Sequence, residues 1–437
     1  MSLSVKAANG ALPESRDQNG SKPALAARRP SRLMAFLASQ RLVVLTVLAM
    51  VLVIGGAMYI PHWIWLSTPV NPLRVVVVNK TVPFPGMREH RALFWLLTQN
   101  RFVDPSRPTN DQLYRFDKDY NGFHPTETPY KFTTDLLTSQ SLKGADALIF
   151  TDTYGVYDDD YAQFPGQEIS ATRHSPKLFG GLEGNEVAAT EQFAQEGKLI
   201  IAEFNTLASP TPPALRARME KIFGFTWTGW VGRYFVDFTD VKDVPDWLTK
   251  LRQQQTGQVW NLHGSGYMLC RNESQEFIIL RDGADALRKG IELRPRGPYI
   301  VGDVMQGVLP NKCNYWFDII VPDQGTEVLA DYYLNLTEQG KQAVLSHKLP
   351  LVFPAVVRWR SGYTAYYIAG DLVDFEKAMG PPDSTLSLYL NRSYFRHPAP
   401  GDTGCFFWHT YYPLVSNILR LESRRITGSP QRALIFQ

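Results

Sequence analysis

The feature that most constrains this chain is an uncharged apolar stretch of 19 residues, Leu42 to Ile60, in which only Thr46 and Tyr59 are polar. A helix rises about 1.5 Å per residue, so this stretch nearly crosses a hydrocarbon core of about 30 Å. The residues that follow it fit an interfacial aromatic belt: Pro61, His62, Trp63 and Trp65. Residues 42–65 are therefore predicted to form one bitopic transmembrane helix.

The charge of the preceding arm predicts the orientation of this helix. Residues 1–41 carry seven basic and two acidic side chains, a net charge of +5. Positive flanks stay on the cytoplasmic side, so the rest of the chain, at +3 − 5 = −2, is expected to be periplasmic or extracellular at a cell inner membrane. The alternatives are a buried helix or a cleavable signal peptide. Signal peptides have short n-regions and a small-residue cleavage site, and neither is present.

Charge and cysteine content narrow the function classes. The exported part is slightly acidic and has no Lys/Arg stripe, which argues against a nucleic-acid partner. Cys270, Cys313 and Cys405 allow at most one disulfide, with the pairing open. The sequence contains no CxxC or HExxH, so neither a metal site nor a cofactor is predicted.

The predicted organisation has five parts, with an insertion in the largest. They are a disordered basic cytoplasmic arm, 1–41; the transmembrane helix, 42–65; a linker, 66–73; an exported α/β domain, 74–421, with an irregular insertion at about 226–300; and a loose tail, 422–437.

Alternating strand and helix patterns predict the fold class of the exported domain. RVVVVNK, DALIFTD and KLIIAEF read as buried strands, and EHRALFWLLTQN, NEVAATEQFAQEG and PPALRARMEKIFGF read as helices. Such alternation predicts a flavodoxin-like, mainly parallel sheet with helices on both faces. LVFPAVVRW and AYYIAGDL read as a hairpin, and FFWHTYYPLVSNILRL as a closing helix.

Three segments together resemble a known superfamily. A strand ending in Asp, the pattern LxxxEVAATEQFxxEGK before LIIAEF, and FPAVVRWRSGYTAYYIAGDL resemble the class I glutamine amidotransferase-like superfamily, nearest its ThuA-like and β-galactosidase-trimerisation-like branches. The resemblance covers about two thirds of residues 74–421 and implies a flavodoxin-like sheet ending in a hairpin. Its catalytic Cys-His-Glu set is absent, because Ala202-Glu203-Phe204-Asn205 stands where the nucleophile would be and no His-x-Glu occurs. We therefore expect a crevice without thioester chemistry.

Polar residues follow the predicted strands and are expected to share one crevice, because parallel strands end at the same sheet edge. The expected catalytic carboxylates are Glu203 and Asp152. The expected ligand contacts in this crevice are Lys80, Asp119, Tyr154, Asn205 and Asp371. Helix capping or an ion pair with Lys80 would explain the acids equally well.

The insertion adds three candidate ligand contacts, Trp227, Trp230 and His263, in segments read as loops. Aromatic faces stack on sugar rings, although core packing would also account for the tryptophans. A hydrogen-bonded loop position would also account for His263.

Three function classes follow. The leading hypothesis is a membrane-anchored, non-catalytic domain that binds a polysaccharide or a partner in cell-envelope or exopolysaccharide assembly. The alternative is a glycoside hydrolase using Glu203 with Asp152 or Asp371. The third is a structural interaction protein whose crevice is filled by its own insertion and whose Lys80 and Glu203 are buried and paired.

Overall fold

The computed structural model describes residues 32–161, 176–240, 244, 246–272, 274, 276–287, 291–297, 303–313, 315–373, 380–395 and 404–428. The chain divides into two compact units, Met1–Tyr59 and Ile60–Gln437. Most of the predicted arm, 1–31, and the end of the predicted tail, 429–437, lie outside the described residues.

The described part of the chain contains ten helices, together with short 3-10 turns and one π-helix. The helices are α1 (Arg32–Ser67), α2 (Arg88–Gln99), α3 (Ser139–Leu142), α4 (Gly184–Gln195), α5 (Pro213–Phe223), α6 (Asp246–Thr256), α7 (Glu338–Ser346), α8 (Thr385–Tyr394), α9 (Gly404–Phe406) and α10 (Tyr412–Thr427), and the π-helix is Phe407–Tyr411.

The described part also contains eighteen strands. They are β1 (Asn71–Pro72), β2 (Val75–Asn79), β3 (Phe102–Val103), β4 (Asn121–Pro125), β5 (Phe132–Thr134), β6 (Ala147–Asp152), β7 (Val156–Tyr157), β8 (Lys177–Phe179), β9 (Leu199–Glu203), β10 (Phe225–Phe235), β11 (Gly266–Arg271), β12 (Phe277–Arg281), β13 (Ile291–Pro295), β14 (Asn311–Cys313), β15 (Trp316–Pro322), β16 (Glu327–Tyr333), β17 (Val352–Arg360) and β18 (Thr364–Ile368).

Helix α1 contains the predicted membrane-spanning stretch. Its segment Gln40–Ser67 is 28 residues long, and the side chains of its most apolar part are exposed. By length and composition this helix is compatible with membrane anchoring. The helix begins at Arg32, so residues 32–41 are helical where the sequence predicted a disordered arm.

The end of α1 is built into the second unit. Trp65, predicted to lie in an interfacial belt, is buried, and its indole N–H donates to the Gln99 carbonyl at 3.1 Å. The predicted linker 66–73 also takes part in the fold, because β1 pairs in parallel with β3 and Leu73 is fully buried. No stretch of free chain therefore separates α1 from the α/β domain among these residues.

The predicted loose tail is partly helical. Helix α10 continues to Thr427, five residues beyond the start of that tail at Glu422. The Ser423 hydroxyl donates to the Pro72 carbonyl at 2.8 Å, so the end of α10 packs beside β1. A single apolar face cannot explain this helix, because its first part is buried on all sides.

A ten-stranded mixed sheet forms the centre of the second unit, in the order β14-β13-β16-β17-β18-β9-β6-β2-β4-β5. The central strands β18, β9, β6, β2 and β4 pair in parallel, as the alternating pattern predicted. Both flanks are antiparallel, and the predicted hairpin is β17 and β18. All residues of β2, β6 and β9 are buried, which explains their continuous apolar runs.

The insertion is more regular than the sequence predicted. Strands β10, β11 and β12 form a four-stranded antiparallel sheet with β15, in the order β12-β11-β10-β15. The 11-residue strand β10 contains Trp227 and Trp230, so these residues do not lie in a loop. Glycines at 229 and 232 and mixed polarity obscured the strand pattern in the sequence.

Candidate functional site

The parallel pairing brings the predicted polar residues to one edge of the sheet. Asn79 of β2 lies opposite Asp152 of β6, and Phe150 of β6 lies opposite Ala202 of β9. Asp152 and Glu203 are the last residues of adjacent parallel strands, and Lys80 follows the last residue of β2. The sequence therefore placed these three residues correctly along the edge.

Four residues form a hydrogen-bonded group at this edge, which we call the open rim: Thr81, Asp152, Tyr154 and Asn205. The Thr81 hydroxyl donates to Asp152 Oδ1 at 2.6 Å, and the Tyr154 backbone N–H donates to the same oxygen at 2.7 Å. The Asn205 amide donates to Asp152 Oδ2 at 3.3 Å. Asp152 therefore orders the three other members of the group.

Backbone geometry aims the rim residues at Asp152. Asn205 has φ of 66°, a left-handed conformation that Asn tolerates better than most residues, and this sharp turn directly after β9 returns its amide toward β6. Gly155 lies so close to the Phe179 backbone that a Cβ would be 2.1 Å from the Phe179 oxygen. The chain after Tyr154 can pass there only because residue 155 is glycine.

The rim reaches the surface through an aromatic pair. Tyr154 is 43% exposed, and its ring lies 4.9 Å from that of Tyr157, at an interplanar angle of 38°. Asn205 is partly exposed, and Asp152 retains 9% exposure. An exposed aromatic face beside an amide and a carboxylate can stack on an apolar ring face and hydrogen-bond to hydroxyl groups.

Glu203, at the end of the neighbouring strand β9, is enclosed by the fold. It is 1% exposed, and Glu203 Oε1 accepts a hydrogen bond of 2.6 Å from the hydroxyl of fully buried Tyr411. Glu203 Oε2 has no hydrogen-bond partner among the described residues. Burial raises the pKa of Glu203 well above its usual range, and the nearby Asp152 charge raises it further. Burial therefore favours the neutral form of this carboxyl group.

The segment that covers Glu203 comes from the end of the chain. Tyr411 is the last residue of the π-helix, whose five residues are all buried. Trp408 in the same turn packs edge-on against Trp95 of α2, with ring centroids 4.9 Å apart. The wider π turn directs Tyr411 toward the end of β9. This part of the predicted crevice is thus filled by the chain itself, from the C-terminal helix and not from the insertion.

Lys80 is also buried, but its partner is not Glu203. Lys80 Nζ lies 2.5 Å from Glu186 Oε2 of α4 and donates to the Gly181 carbonyl at 2.8 Å. Burial lowers the pKa of Lys80, while Glu186 opposes that change. The alternative in which Lys80 pairs with Glu203 is not what the structure has, because the ion pair joins the end of β2 to Glu186 of α4.

A second buried acid is also bonded to a tyrosine. Asp318 of β15 accepts a hydrogen bond from the Tyr367 hydroxyl, and both residues are buried. Burial raises the pKa of Asp318 to about 7, against the lowering effect of the hydrogen bond from Tyr367. We call Glu203–Tyr411 and Asp318–Tyr367 the two acid–tyrosine pairs. Both place a carboxyl group inside the fold.

Two other predicted contacts have different surroundings. Asp119 accepts hydrogen bonds from the Arg107 guanidinium at 3.0 Å and from the Arg115 backbone at 2.6 Å, which fixes the loop before β4. His263 is exposed in the loop before β11, where it contacts Asn261 at 3.0 Å.

Asp371 follows β18 at the same sheet edge. It is half-buried, and its backbone N–H donates to the Trp316 carbonyl of β15 at 3.0 Å.

The two tryptophans proposed as ligand contacts are part of the core. Trp227 is 5% exposed, with the Arg216 guanidinium 4.8 Å from its ring centre, and Trp230 is 3% exposed and packs edge-on against His347. Their aromatic faces are therefore occupied by side chains of the chain itself.

Several residues that determine which side chains of this edge are exposed were not predicted from the sequence. Thr81 could have been found, because it is the next polar residue after Lys80 at a strand end. Tyr411 and Glu186 are 208 and 106 residues from their partners, and no local pattern links them.

Among the described residues, no group of three His, Cys, Asp or Glu side chains could hold a metal ion. Cys270 and Cys405 are buried.

Comparisons with known proteins give only distant likenesses. No family model and no curated protein matches the chain. Cytoplasmic Protein STM3548 from Salmonella typhimurium is similar in structure, with 10% identity, a TM-score of 0.35, and coverage of 80% of this chain and 98% of that chain. A putative ThuA-like protein from Bacteroides uniformis has 11% identity, a TM-score of 0.30, and coverage of 78% and 98%.

A third solved structure is a cold-adapted β-galactosidase from Rahnella sp. R3, with 11% identity, a TM-score of 0.26, and coverage of 74% of this chain and 31% of that chain. The neighbours thus include the ThuA-like branch named by the sequence resemblance. TM-scores this low establish neither a family nor an activity for this chain.

Proposed function

We propose that the chain is a single-pass, membrane-anchored protein whose exported α/β domain binds a cell-envelope or exopolysaccharide carbohydrate without turning it over. The observation that carries this proposal is the contrast at the sheet edge. Glu203, the strongest catalytic candidate from the sequence, is 1% exposed beneath Tyr411, whereas Tyr154 at the adjacent strand end is 43% exposed.

Burial of Glu203 argues against a glycoside hydrolase. Such enzymes use two carboxyl groups on either side of the scissile bond, about 5 to 9.5 Å apart and both in contact with substrate or water. Glu203 has no surface from which to reach a sugar. Asp152, with Oδ1 and Oδ2 both accepting hydrogen bonds from the rim, can orient a hydroxyl group.

The open rim supports carbohydrate as the ligand class. Sugar hydroxyls both donate and accept hydrogen bonds, and Asp152, Asn205 and Thr81 provide both kinds of group. Tyr154 adds an aromatic face for the apolar side of a pyranose ring. A peptide partner in envelope assembly fits this group less well, because the Asp152 carboxylate is already hydrogen-bonded by three donors.

Export is the second component of the proposal and rests on charge. The +5 arm before the apolar stretch is retained in the cytoplasm under the positive-inside rule, which places residues after α1 outside. Alkaline phosphatase fused after Thr427 should be active in cells, and the same fusion after Gln40 should be inactive. The reverse pattern would contradict an exported domain.

Binding is tested with the full chain in phosphatidylcholine nanodiscs on an array of bacterial polysaccharides. We expect retention of at least one class of polysaccharide and no release of reducing ends from it during prolonged incubation. Failure of every polysaccharide to bind would contradict carbohydrate as the ligand. Release of reducing ends would contradict the non-catalytic assignment and favour the hydrolase.

A further inference from the structure

Helix α8 exposes large apolar and aromatic side chains and buries small polar ones. Its core-facing positions include two small polar residues, Ser387 and Asn391, which are buried. The opposite face carries four large apolar or aromatic side chains at helical spacing, with exposures of 38%, 69%, 43% and 69%: Leu386, Tyr389, Leu390 and Tyr394. A helix of a water-soluble surface shows the opposite distribution. This outer face of α8, defined by those four residues, calls for an apolar environment.

Hydrogen bonds attach the start of α8 to the last turns of α1. The Thr385 hydroxyl donates to the Pro61 carbonyl at 3.2 Å. His62 Nδ1 lies 2.9 Å from the Asp383 carbonyl oxygen and 3.2 Å from Asp383 Oδ2. Pro61 directly follows Ile60, the last residue of the uncharged stretch. If that stretch crosses a membrane, connectivity alone places the start of α8 at the lipid–water interface.

The end of α1 presents the same chemistry. Trp63, Ile64 and Leu66 are exposed by 70%, 50% and 47%, although Trp65 beside them is buried. Tryptophan and tyrosine favour the headgroup level of a bilayer, because one part of the ring is apolar and another hydrogen-bonds to water. Both α8 and the last turns of α1 therefore display side chains suited to one interfacial layer.

We propose that the outer face of α8 lies in the headgroup and acyl-chain boundary of the membrane that α1 crosses. Amphipathic helices of this kind sit about 5–10 Å deep, held by apolar burial. This inference rests on the membrane anchoring in the proposed function and assigns a second contact with the same bilayer. Two contacts, one spanning and one interfacial, would restrict the tilt of the α/β domain.

The charge of α8 predicts how its contact with the membrane depends on the lipid headgroups. The only charged residue of α8 is Arg392, which is half-buried and so contributes little to a lipid-facing surface. Attraction to anionic headgroups grows with the number of basic residues near the surface, and the outer face of α8 has none. Contact by α8 should therefore be similar in neutral and anionic bilayers.

The test measures lipid contact in the full chain. Tyr389→Cys is labelled with the environment-sensitive fluorophore NBD and reconstituted in phosphatidylcholine vesicles containing a shallow doxyl-labelled lipid quencher. Trp63→Cys is the positive control beside the apolar stretch. Leu345→Cys is the matched negative control, since Leu345 is a 54% exposed leucine on α7. Labelling of the unsubstituted chain provides the background from native thiols.

We expect the label at position 389 to lose fluorescence to the lipid quencher as fully as the label at 63, with no loss at 345. Including the anionic lipid phosphatidylglycerol should leave this pattern unchanged, because the outer face of α8 carries no basic residue. If Tyr389→Cys does not fold, the measurement is repeated with Tyr394→Cys, because Tyr394 is as exposed as Tyr389.

Three results would overturn the inference in different ways. Quenching at 63 without quenching at 389 would leave the anchor intact and remove α8 from the membrane. If the label at 389 were instead protected from aqueous iodide, a second copy of the chain would be the occupant of this face. Absence of quenching at both 63 and 389 would show that the membrane anchoring itself is wrong.

Discussion

Strands β6 and β9 lie side by side in the same sheet and both end in a carboxylate, yet the two strand ends have different environments. Asp152 at the end of β6 accepts hydrogen bonds from three groups of the open rim and is 9% exposed, beside Tyr154, which is 43% exposed. Glu203 at the end of β9 is buried under Tyr411, and burial raises its pKa well above the usual range. The covering segment, and not the strand-end position, determines whether such a residue can meet a ligand.

The other buried groups extend this comparison. Lys80 and Glu186 neutralise each other inside the fold, and Asp318 is bonded to Tyr367. Among the described residues, several polar groups along this edge are thus buried and paired with one another, while Tyr154 of the open rim is substantially exposed. The predictions below separate the two kinds of strand end by their effects on stability and on binding.

The largest effect is expected at Lys80. Lys80→Met should lower the free energy of unfolding by about 3–5 kcal/mol, because Glu186 would be left as an uncompensated buried charge. The double variant Lys80→Met/Glu186→Leu should recover much of that loss. Urea unfolding of the detergent-solubilised chain measures both. Lys198→Met, which removes a more exposed pair with Asp146, is the control and should cost about 0–1 kcal/mol.

The next effect depends on pH. The pKa of Asp318 is raised to about 7 in the folded chain from 3.8, so stability is fully present below pH 3.8 and is lost as pH rises toward 7. This difference between the folded and unfolded pKa of Asp318 corresponds to a change in the free energy of unfolding of roughly 4 kcal/mol at most. Asp318→Asn should have a flatter curve of unfolding free energy between pH 4 and 8 than the unsubstituted chain. Parallel curves would show that Asp318 is ionised when folded.

Removal of the tyrosine that covers Glu203 should have a moderate effect. Tyr411→Phe leaves Glu203 Oε1 without its donor and should cost about 1–3 kcal/mol of unfolding free energy. Tyr389→Phe, at a 69% exposed position, is the control and should change stability by less than about 0.5 kcal/mol. Equal stabilities of the two variants would mean that Tyr411 does not hold Glu203.

The smallest effect on stability is expected at the rim, where the effect on binding should be clear. Tyr154→Ala should change the unfolding free energy by about 0.5 kcal/mol or less, because the ring is substantially exposed. Loss of one stacking face should weaken polysaccharide binding by up to about tenfold. Tyr394→Ala is a matched exposed control and should bind normally. Unchanged affinity in Tyr154→Ala would remove the aromatic part of the site.

Much of the central sheet could be predicted from the sequence, because each central strand is a short apolar run between turn residues. Three of these predicted strands are present in the structure, at Val75–Asn79, Ala147–Asp152 and Leu199–Glu203. The insertion could not be read in this way. Strand β10 mixes glycine, threonine and tryptophan, and its pairing with β15 joins residues about 90 positions apart.

The candidate site was only partly predictable for a similar reason. Position at a strand end follows from local pattern, and it brought Asp152, Tyr154 and Asn205 to one place. Burial depends on what packs above, and the π-helix that covers Glu203 is supplied from 208 residues away. The sequence therefore predicted the edge but not which of its residues would stay accessible.

The central claim, that the end of β9 is closed while the end of β6 is open, is tested most directly by comparing Glu203→Gln with Asp152→Asn. Both variants replace a carboxyl group with an amide of the same size. Each is assayed in nanodiscs for polysaccharide retention and for release of reducing ends. The account predicts that Glu203→Gln matches the unsubstituted chain in both assays and that Asp152→Asn loses retention. A folded Glu203→Gln that abolishes a measurable release of reducing ends would contradict it.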